Sequence, residues 1–253
     1  MSIKGKTVVI TGGGSGLGAD AAEAAHNAGA NIVLNGRDAS KLAGVASRID
    51  PSGERISYLA GDIGDPIIAE SVIRTAAERF GGVDVLYNNA GIFGIKRFAD
   101  VTRADLFEYF NLMAGYFAAS QYAATEMQKR GGGAIINVGS IWAMQGVGVT
   151  PATVPSMAKG GIHALTRALA IELAPDKIRV NAIAPAVVET PLLESLGSAD
   201  QIATFNGFHP LGRNGQPRDI TSAFQFLADE ALSGWITGVI LPVDGGVMAG
   251  SAA

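Results

Sequence analysis

Short apolar runs alternate with longer segments of helical periodicity along this chain. Six runs rich in Val, Ile and Leu have the length of buried strands, and they are TVVIT, NIVLN, VDVLYNNAG, GAIINVGS, IRVNAIAP and GVILPVDGG. Apolar residues recur with helical spacing between them, most clearly over residues 16–28, 66–80 and 157–174. Strands that are apolar on both faces and separated by helices are typical of a parallel sheet covered on both sides. The pattern therefore predicts an α/β fold with a doubly wound parallel sheet in three α/β/α layers.

Composition narrows the class of protein. A chain of 253 residues that is 48% apolar is long enough for one well-packed α/β domain, and we find no domain boundary or repeat in it. It has no cysteine, which excludes disulfides and thiolate metal sites and favours a reducing compartment. A strand-like segment begins a few residues after Met1 and leaves no room for a signal peptide, so we expect a cytoplasmic protein.

Charge and motif content argue against several partners and reactions. The net charge is −4 with both signs interspersed, so we expect no nucleic-acid binding. No apolar run approaches the roughly 20 residues of a membrane span, so we expect no membrane partner. The three histidines form no HExxH pair, so no metal site is expected, and the chain has no GxSxG elbow for acyl transfer.

Glycines gather where the first predicted strand meets the first predicted helix. The segment TGGGSGLG places Gly12, Gly16 and Gly18 in the turn that opens this helix. Glycine lets the backbone approach a pyrophosphate closely, and the free N–H groups at a helix N-terminus stabilise its charge. Such a motif also occurs in ordinary turns, but its position between a first strand and a helix predicts a dinucleotide site.

The end of the second predicted strand distinguishes between the two nicotinamide dinucleotides. A site for NAD(H) usually has an acidic side chain there for the ribose 2′-hydroxyl, whereas this chain has Gly36 and Arg37. A guanidinium pairs well with a 2′-phosphate, so this position favours NADP(H), with NAD(H) as the other possibility. The alternative interpretation of Arg37 is a cation in a solvated turn.

Further motifs follow in a fixed order over nearly the whole chain. They are AGDIGD with Asp62, NNAG at residues 88–91, NLMAGYFAAS with Asn111, INVGS with Ser140, MAKGG with Lys159, IRVNAIAPAVVETP and ITGVILPVDGG. Together with the glycine turn they resemble the short-chain dehydrogenase/reductase family. The resemblance implies a single NAD(P)-binding Rossmann-type domain over residues 1–253, a small-molecule substrate, and assembly as a homotetramer or homodimer.

The resemblance also implies roles for individual residues. Ser140 is expected to polarise a substrate carbonyl, Lys159 to hold the ribose hydroxyls, and Asn111 to anchor a water, so these three are the candidate catalytic residues. Asp62 is expected to contact the adenine and Thr190 the nicotinamide carboxamide. The residues expected to bind the cofactor are Gly12, Ser15, Gly16, Leu17, Gly18, Arg37, Asp62, Ile63, Asn89, Ala90, Gly91, Lys159, Pro185, Val188 and Thr190.

The chain departs from the family at one central position. In the family, a catalytic tyrosine precedes the lysine by four residues and passes a proton to or from the substrate oxygen. Here Pro155 stands four residues before Lys159, and its side chain has no proton to give. Proline is tolerated in the first turn of a helix, and we expect Thr153 to cap that helix.

The proton donor therefore has to come from elsewhere. No tyrosine lies between Ser140 and Lys159, and packing is the expected role of the five tyrosines, which are Tyr58, Tyr87, Tyr109, Tyr116 and Tyr122. A water held by Lys159 and Ser140 is the simplest substitute, although it must be positioned afresh, and Thr153 and Ser156 are less suitable. The predicted function is hydride transfer between NADP(H) and a carbonyl or alcohol. The competing interpretation is a cofactor-binding protein with little or no redox turnover.

Residues 187–210 resemble the mobile substrate lid of the family. The apolar residues there and near the site favour an apolar substrate, although core burial explains several of them equally well; they are Leu192, Leu193, Phe205, Phe208, Phe93, Trp142 and Met144. His209 lies at the end of the same segment. A structural role is favoured over substrate contact for this histidine.

Overall fold

Seven parallel strands form one sheet in the order β3-β2-β1-β4-β5-β6-β7 in the computed structural model, which describes residues 3–194 and 198–250. The strands are β1 (Thr7–Thr11), β2 (Asn31–Gly36), β3 (Ile56–Ala60), β4 (Val85–Asn88), β5 (Gly133–Val138), β6 (Ile178–Pro185) and β7 (Ile240–Val243). Helices pack against both faces of this sheet, which confirms the predicted doubly wound α/β fold.

Helices cover both faces of this sheet. They are α1 (Gly16–Asn27), α2 (Ala39–Ile49), α3 (Pro66–Phe80), α4 (Arg103–Lys129), α5 (Thr153–Glu172), α6 (Pro191–Glu194), α7 (Ala199–Ala203), α8 (Pro217–Ala228) and α9 (Glu230–Ser233). One core layer joins α1, α2 and α8 to the sheet, and a second joins α3, α4 and α5 to its other face. The three layers are therefore those that the apolar pattern predicts.

Strand β3 is not among the six apolar runs, and its position explains why. It forms the edge of the sheet beside β2 and alternates between buried and more exposed residues, with Tyr58 43% exposed. A strand with one solvated face lacks the continuous apolar run of a central parallel strand. The sequence pattern of a central strand therefore does not detect it.

Helix α5 begins four residues earlier than the predicted start at residue 157. Pro155 is the third residue of this helix, where a missing N–H costs nothing because the first turn has no intrahelical acceptors for it. Thr153 is the first helical residue, the N-cap is Ala152, and no side chain caps this end. The expectation that Thr153 caps the helix is wrong, because Thr153 is already helical.

A buried polar network crosses the sheet between α4 and α5. The amide of Asn88 in β4 donates to Ser120 Oγ of α4 and to Asn137 Oδ1 of β5, each at 3.0 Å. The amide of Asn137 in turn donates to Thr166 Oγ1 of α5 at 2.9 Å. All four side chains are at least 98% buried, so these hydrogen bonds form where water has no access, and Asn88 Oδ1 has no partner among the described residues. The network ties both helices to the centre of the sheet.

Strands β1 and β4 are neighbours in the sheet although they are far apart in the sequence. The chain winds outward in opposite directions from this pair, which leaves a crevice beyond their carboxyl ends. Within the described residues, no helix is long and apolar enough to cross a membrane. No cluster of three or more acidic or histidine side chains in this same part of the chain is arranged to hold a metal ion.

Candidate active site

A cleft of about 760 Å³ opens at the carboxyl ends of the strands. It brings together residues that lie far apart in the sequence, from the glycine turn to the segment after β6. The predicted site residues that line it are Gly12, Ser15, Gly16, Leu17, Arg37, Asp62, Ile63, Asn89, Ala90, Gly91, Asn111, Ser140, Lys159, Pro185, Val188 and Thr190. Gly18 is the exception, because it is buried beneath the turn and does not reach the cleft.

The glycine turn leaves no room for side chains at two of its positions. A Cβ at Gly18 would lie 2.3 Å from Gly12 O and 2.6 Å from Asn89 Nδ2. Gly12 has φ of 68°, and a Cβ there would lie 2.8 Å from Ala90 Cα. The turn thus packs directly against the backbone after β4, with the N-terminus of α1 open to the cleft at Ser15. This leaves unpaired N–H groups at the helix start for an anion.

Thr11 holds this turn to the end of β4. Its hydroxyl oxygen accepts the N–H groups of Asn89 and Ala90, each at 3.0 Å. The Asn89 amide returns two bonds, to Thr11 O at 3.0 Å and Gly12 O at 3.2 Å. Thr11 was not among the predicted site residues, because a threonine that ends an apolar strand has the pattern of an ordinary strand residue. The contact fixes the turn without any ligand.

Two cations line the cleft beyond β2. Arg37 is exposed, and its guanidinium forms no ion pair with the described residues, 3–194 and 198–250. Lys41 is the third residue of α2, also lines this cleft, and was not among the predicted site residues. Asp38 between them caps α2 by accepting the N–H groups of Ser40 and Lys41, and its hydrogen bond from the Ser40 hydroxyl lowers the pKa of the carboxyl. The edge of the cleft therefore presents positive charge.

Asn111 and Asp62 are hydrogen-bonded to each other. The Asn111 amide donates to Asp62 Oδ2 at 3.1 Å, and Gly64 N donates to Asp62 Oδ1 at 2.9 Å. Gly64 permits this approach, because a Cβ there would lie 2.2 Å from the Asn111 amide nitrogen. Asp62 was predicted to contact the adenine and Asn111 to anchor a water, and the structure joins the two residues through one hydrogen bond.

Ser140 is held from behind by a histidine. Its backbone N–H donates to His163 Nε2 of α5 at 3.3 Å, and its hydroxyl accepts the N–H of Trp142 at 3.3 Å. His163 is 3% exposed, and burial together with the nearby Lys159 and Arg167 lowers its pKa to about 4, so it stays neutral and accepts the bond. Gly139 is required beside it, since a Cβ there would lie 2.1 Å from His163 Nε2. His163 was missed because it lies on the buried face of a helix.

Lys159 points back to the end of β5. Its ammonium donates to Val138 O at 2.6 Å and lies 5.3 Å from the centre of the Tyr116 ring. Lys159 has no carboxylate partner in the part of the chain that the structure describes, and desolvation lowers its pKa to about 8. The hydroxyl of Tyr116 donates to Ala90 O at 3.0 Å, so this tyrosine is part of the wall behind the lysine. Lys159 and Ser140 line the same cleft.

A smaller cavity of about 260 Å³ adjoins the position of Pro155. Pro155 and Tyr109 line both this cavity and the larger cleft. Tyr109 packs against Val154 and Ala158, the residues on either side of the proline along α5, and its hydroxyl oxygen accepts the Gly94 N–H at 3.0 Å. Packing was the role predicted for Tyr109. The spacing of residues along α4 does not reveal which residues of α5 lie beside it.

Residues 187–194 and 198–210 border one side of the cleft. Leu192, Leu193 and Phe205 line it, whereas Phe208 packs against Trp142 with ring centres 5.9 Å apart. His209 is 3% exposed, bonds Phe205 O through Nδ1 at 3.0 Å and accepts the Val187 N–H at 3.4 Å, which is a structural role. Residues 195–197 of the predicted lid lie outside the described residues.

Comparison with known proteins identifies the family to which this site belongs. A family model described as Enoyl-(Acyl carrier protein) reductase matches residues 12–248. A short-chain type dehydrogenase/reductase from Mycobacterium marinum, known from its crystal structure, has a TM-score of 0.92 and 31% sequence identity, covering 98% of this chain and 97% of that chain. The chain belongs to the short-chain dehydrogenase/reductase family.

Relatives with named activities match nearly the whole length of this chain. L-rhamnose-1-dehydrogenase from Scheffersomyces stipitis is 37% identical over 97% of this chain and 96% of the relative. The (2S)-[(R)-hydroxy(phenyl)methyl]succinyl-CoA dehydrogenase subunit BbsD from Thauera aromatica is 34% identical over 97% of this chain and 98% of the relative. The chain is accordingly an oxidoreductase of this family.

Proposed function

We propose that this protein is an NADP(H)-dependent oxidoreductase that transfers a hydride between the nicotinamide and a carbonyl or alcohol of a small, mainly apolar substrate. The observation that carries the proposal is the cleft at the switch point of the sheet, which is lined by the glycine turn, Ser140 and Lys159 together. A hydride donor and a polarised carbonyl have to meet in one space, and this cleft has apolar side chains beside Ser140 and Lys159.

The residues around the glycine turn fit a dinucleotide. Gly12 and Gly18 have no room for a Cβ atom, so only glycine lets the backbone pack this closely at the start of α1. A pyrophosphate is stabilised at such a helix start. When bound, the cofactor supplies or accepts the hydride. Asp62, Ile63, Asn89, Ala90 and Gly91 form the adenosine side of the cleft in this proposal, and Pro185, Val188 and Thr190 the nicotinamide side.

The preference for NADP(H) rests on Arg37. Its guanidinium has no carboxylate partner in the described structure, and it stands where a 2′-phosphate would need a counter-charge. Lys41, which also lines the cleft, adds a second positive charge. NAD(H), which lacks the phosphate, gains nothing from either cation and is the weaker ligand.

Three residues have separate roles on the substrate side, and they are Ser140, Lys159 and Asn111. His163 accepts the backbone N–H of Ser140, and the Ser140 hydroxyl oxygen accepts the N–H of Trp142. In this proposal the hydroxyl donates its proton to the substrate oxygen and polarises the carbonyl. Lys159 holds ribose hydroxyls and supplies positive charge where negative charge develops. Asn111 donates a hydrogen bond to Asp62, lines the same cleft and anchors a water there. Pro155 occupies the position of the family's tyrosine and transfers no proton.

Apolar side chains around Ser140 define the substrate class. Those lining the cleft on this side are Ile92, Phe93, Trp142, Leu192, Leu193 and Phe205. Two of them, Leu192 and Leu193, follow Thr190 in the lid at residues 187–210, so closure of the lid over a substrate would exclude water from the reacting carbonyl. A small ketone or aldehyde with an aromatic or alicyclic body fits this lining.

Exposed apolar residues on two surfaces support assembly as a homodimer or homotetramer. Phe107, Phe117 and Met157 of α4 and α5 are 50%, 53% and 47% exposed. Trp235, just after α9, is fully exposed, next to Leu232, which is 63% exposed. Large exposed apolar side chains grouped in this way are typical of subunit interfaces.

The test is a single-turnover assay of NADPH oxidation with benzaldehyde, acetophenone and cyclohexanone as probes. We expect at least one carbonyl to accelerate the loss of absorbance at the nicotinamide band, and Ser140→Ala to remove that acceleration while NADPH still binds. Cofactor binding without acceleration by any carbonyl or, in the reverse direction, any alcohol would instead support a cofactor-binding protein with little redox turnover.

A further inference from the structure

The proline before Lys159 leaves the cleft without the family's proton donor, and the structure offers another phenol beside it. We propose that Tyr109 of α4 is the proton donor of this cleft. The inference rests on the proposed function, because it names the acid for the same hydride transfer.

Tyr109 approaches the reacting region from the neighbouring helix. It packs against Val154 and Ala158 and lines both cavities together with Pro155, so its ring lies beside the space that the shorter proline leaves. Among the described residues it is the one tyrosine that lines the larger cleft, which also contains Ser140 and Lys159. Tyr109 thus lines the cleft of Ser140 and Lys159 from a different helix, α4.

The hydrogen bond of Tyr109 leaves its proton available. Gly94 N donates to the Tyr109 hydroxyl oxygen at 3.0 Å, and no acceptor for the hydroxyl proton is found among residues 3–194 and 198–250. The same Gly94 N–H stabilises the phenolate once the proton has left. Burial raises the pKa of Tyr109 to about 12, and Gly94 opposes that rise. The phenol is still a stronger acid than water, whose pKa is about 15.7.

Other hydroxyls are placed less well. Ser156 lines neither cavity, and Thr153 lines only the smaller one. Tyr116 donates its proton to Ala90 O, and Tyr87 packs against Phe224 in the core on the opposite face of the sheet. Serine and threonine hydroxyls are also much weaker acids than a phenol.

The step balances with the reactants of the proposed function. The carbonyl carbon accepts the hydride from reduced nicotinamide, and the carbonyl π electrons move to the oxygen. A new O–H bond forms to that oxygen as the Tyr109 O–H bond breaks, which leaves an alcohol and a phenolate. Solvent water then returns a proton to the phenolate through the smaller cavity, which Tyr109 also lines.

The test is a cycle of two substitutions, measured as single-turnover NADPH oxidation with the best carbonyl probe. We expect Tyr109→Phe to lower the rate roughly 100-fold, with NADPH affinity unchanged by calorimetry. Pro155→Tyr should raise the rate, because the new phenol stands one turn before Lys159. Adding Tyr109→Phe to Pro155→Tyr should then change the rate very little. Tyr58→Phe, on the exposed edge strand, is the matched control and should change nothing.

Binding of an unreactive carbonyl gives a second readout. Benzamide accepts the same hydrogen bond but takes no hydride, and Tyr109→Phe should weaken its binding roughly 2- to 10-fold. A rate for Tyr109→Phe within about threefold of the parent overturns the inference. If Pro155→Tyr is then active, the proposed function stands and water is the donor. If neither the parent nor Pro155→Tyr transfers hydride, the proposed function fails and the inference fails with it.

Discussion

Replacing Arg37 by alanine tests the choice between the two cofactors directly. The guanidinium is exposed and has no ion pair with the described residues, so its removal leaves the fold and its neighbours unchanged. A charge-assisted hydrogen bond is worth about 1.5–3 kcal/mol, and exposure to solvent favours the lower end of that range. We therefore expect the NADPH dissociation constant to rise roughly 10- to 30-fold, and that of NADH to stay within about twofold.

Calorimetric titration of both cofactors measures the effect, and a matched arginine controls for charge. Arg48 also belongs to the α2 region but is paired with Glu23 at 2.5 Å, so Arg48→Ala should leave both affinities as they are. Salt supplies a second check, because 0.5 M salt, at a Debye length of roughly 4–5 Å, should weaken NADPH binding to the parent more than to Arg37→Ala. Equal affinities of parent and Arg37→Ala for NADPH would show that Arg37 points into solvent and that the assignment of NADP(H) is wrong.

Three further outcomes follow from the site. Lys159→Met should cost about 1.5–3 kcal/mol of cofactor affinity by calorimetry, and an unchanged affinity would remove Lys159 from the site. The carbonyl-reduction rate of the parent should fall as pH rises through the pKa of about 8, since Lys159 is charged below that value and neutral above it; a pH-independent rate would contradict its electrostatic role. Gly18→Ala should destabilise the glycine turn by about 1–3 kcal/mol and weaken NADPH binding, measured by denaturant unfolding and titration, whereas Gly44→Ala in α2, with nothing within 4 Å, should not.

The central strands and the glycine turn could be predicted because each depends on local sequence. A buried parallel strand needs a continuous apolar run, and a tight turn onto a helix needs glycine. Both β1 and the TGGGSGLG turn can therefore be recognised from the sequence. The start of α5 was harder to predict, because its first turn contains Thr153 and Pro155 and has no side-chain cap. Helix boundaries without such signals are set by packing.

The relations between side chains on different elements could not be read from the sequence. Tyr109 on α4 and Pro155 on α5 share two cavities only because the two helices pack side by side. The same holds for His163 behind Ser140 and for the bond between Asn111 and Asp62. These contacts depend on the angle and axial position at which helices meet the sheet, and residue spacing along one element contains neither quantity.

The amide network through Asn88 and Asn137 determines that axial position. If α4 or α5 slid by one turn, about 5.4 Å, Ser120 or Thr166 would leave its partner and a buried amide would remain unsatisfied. Each such loss costs about 1–3 kcal/mol, whereas apolar side chains slide past one another at less cost. The network thus fixes the axial positions of α4 and α5, the helices that carry Asn111 and Lys159. It therefore determines how far both side chains extend into the cleft, although the network itself lies away from any substrate.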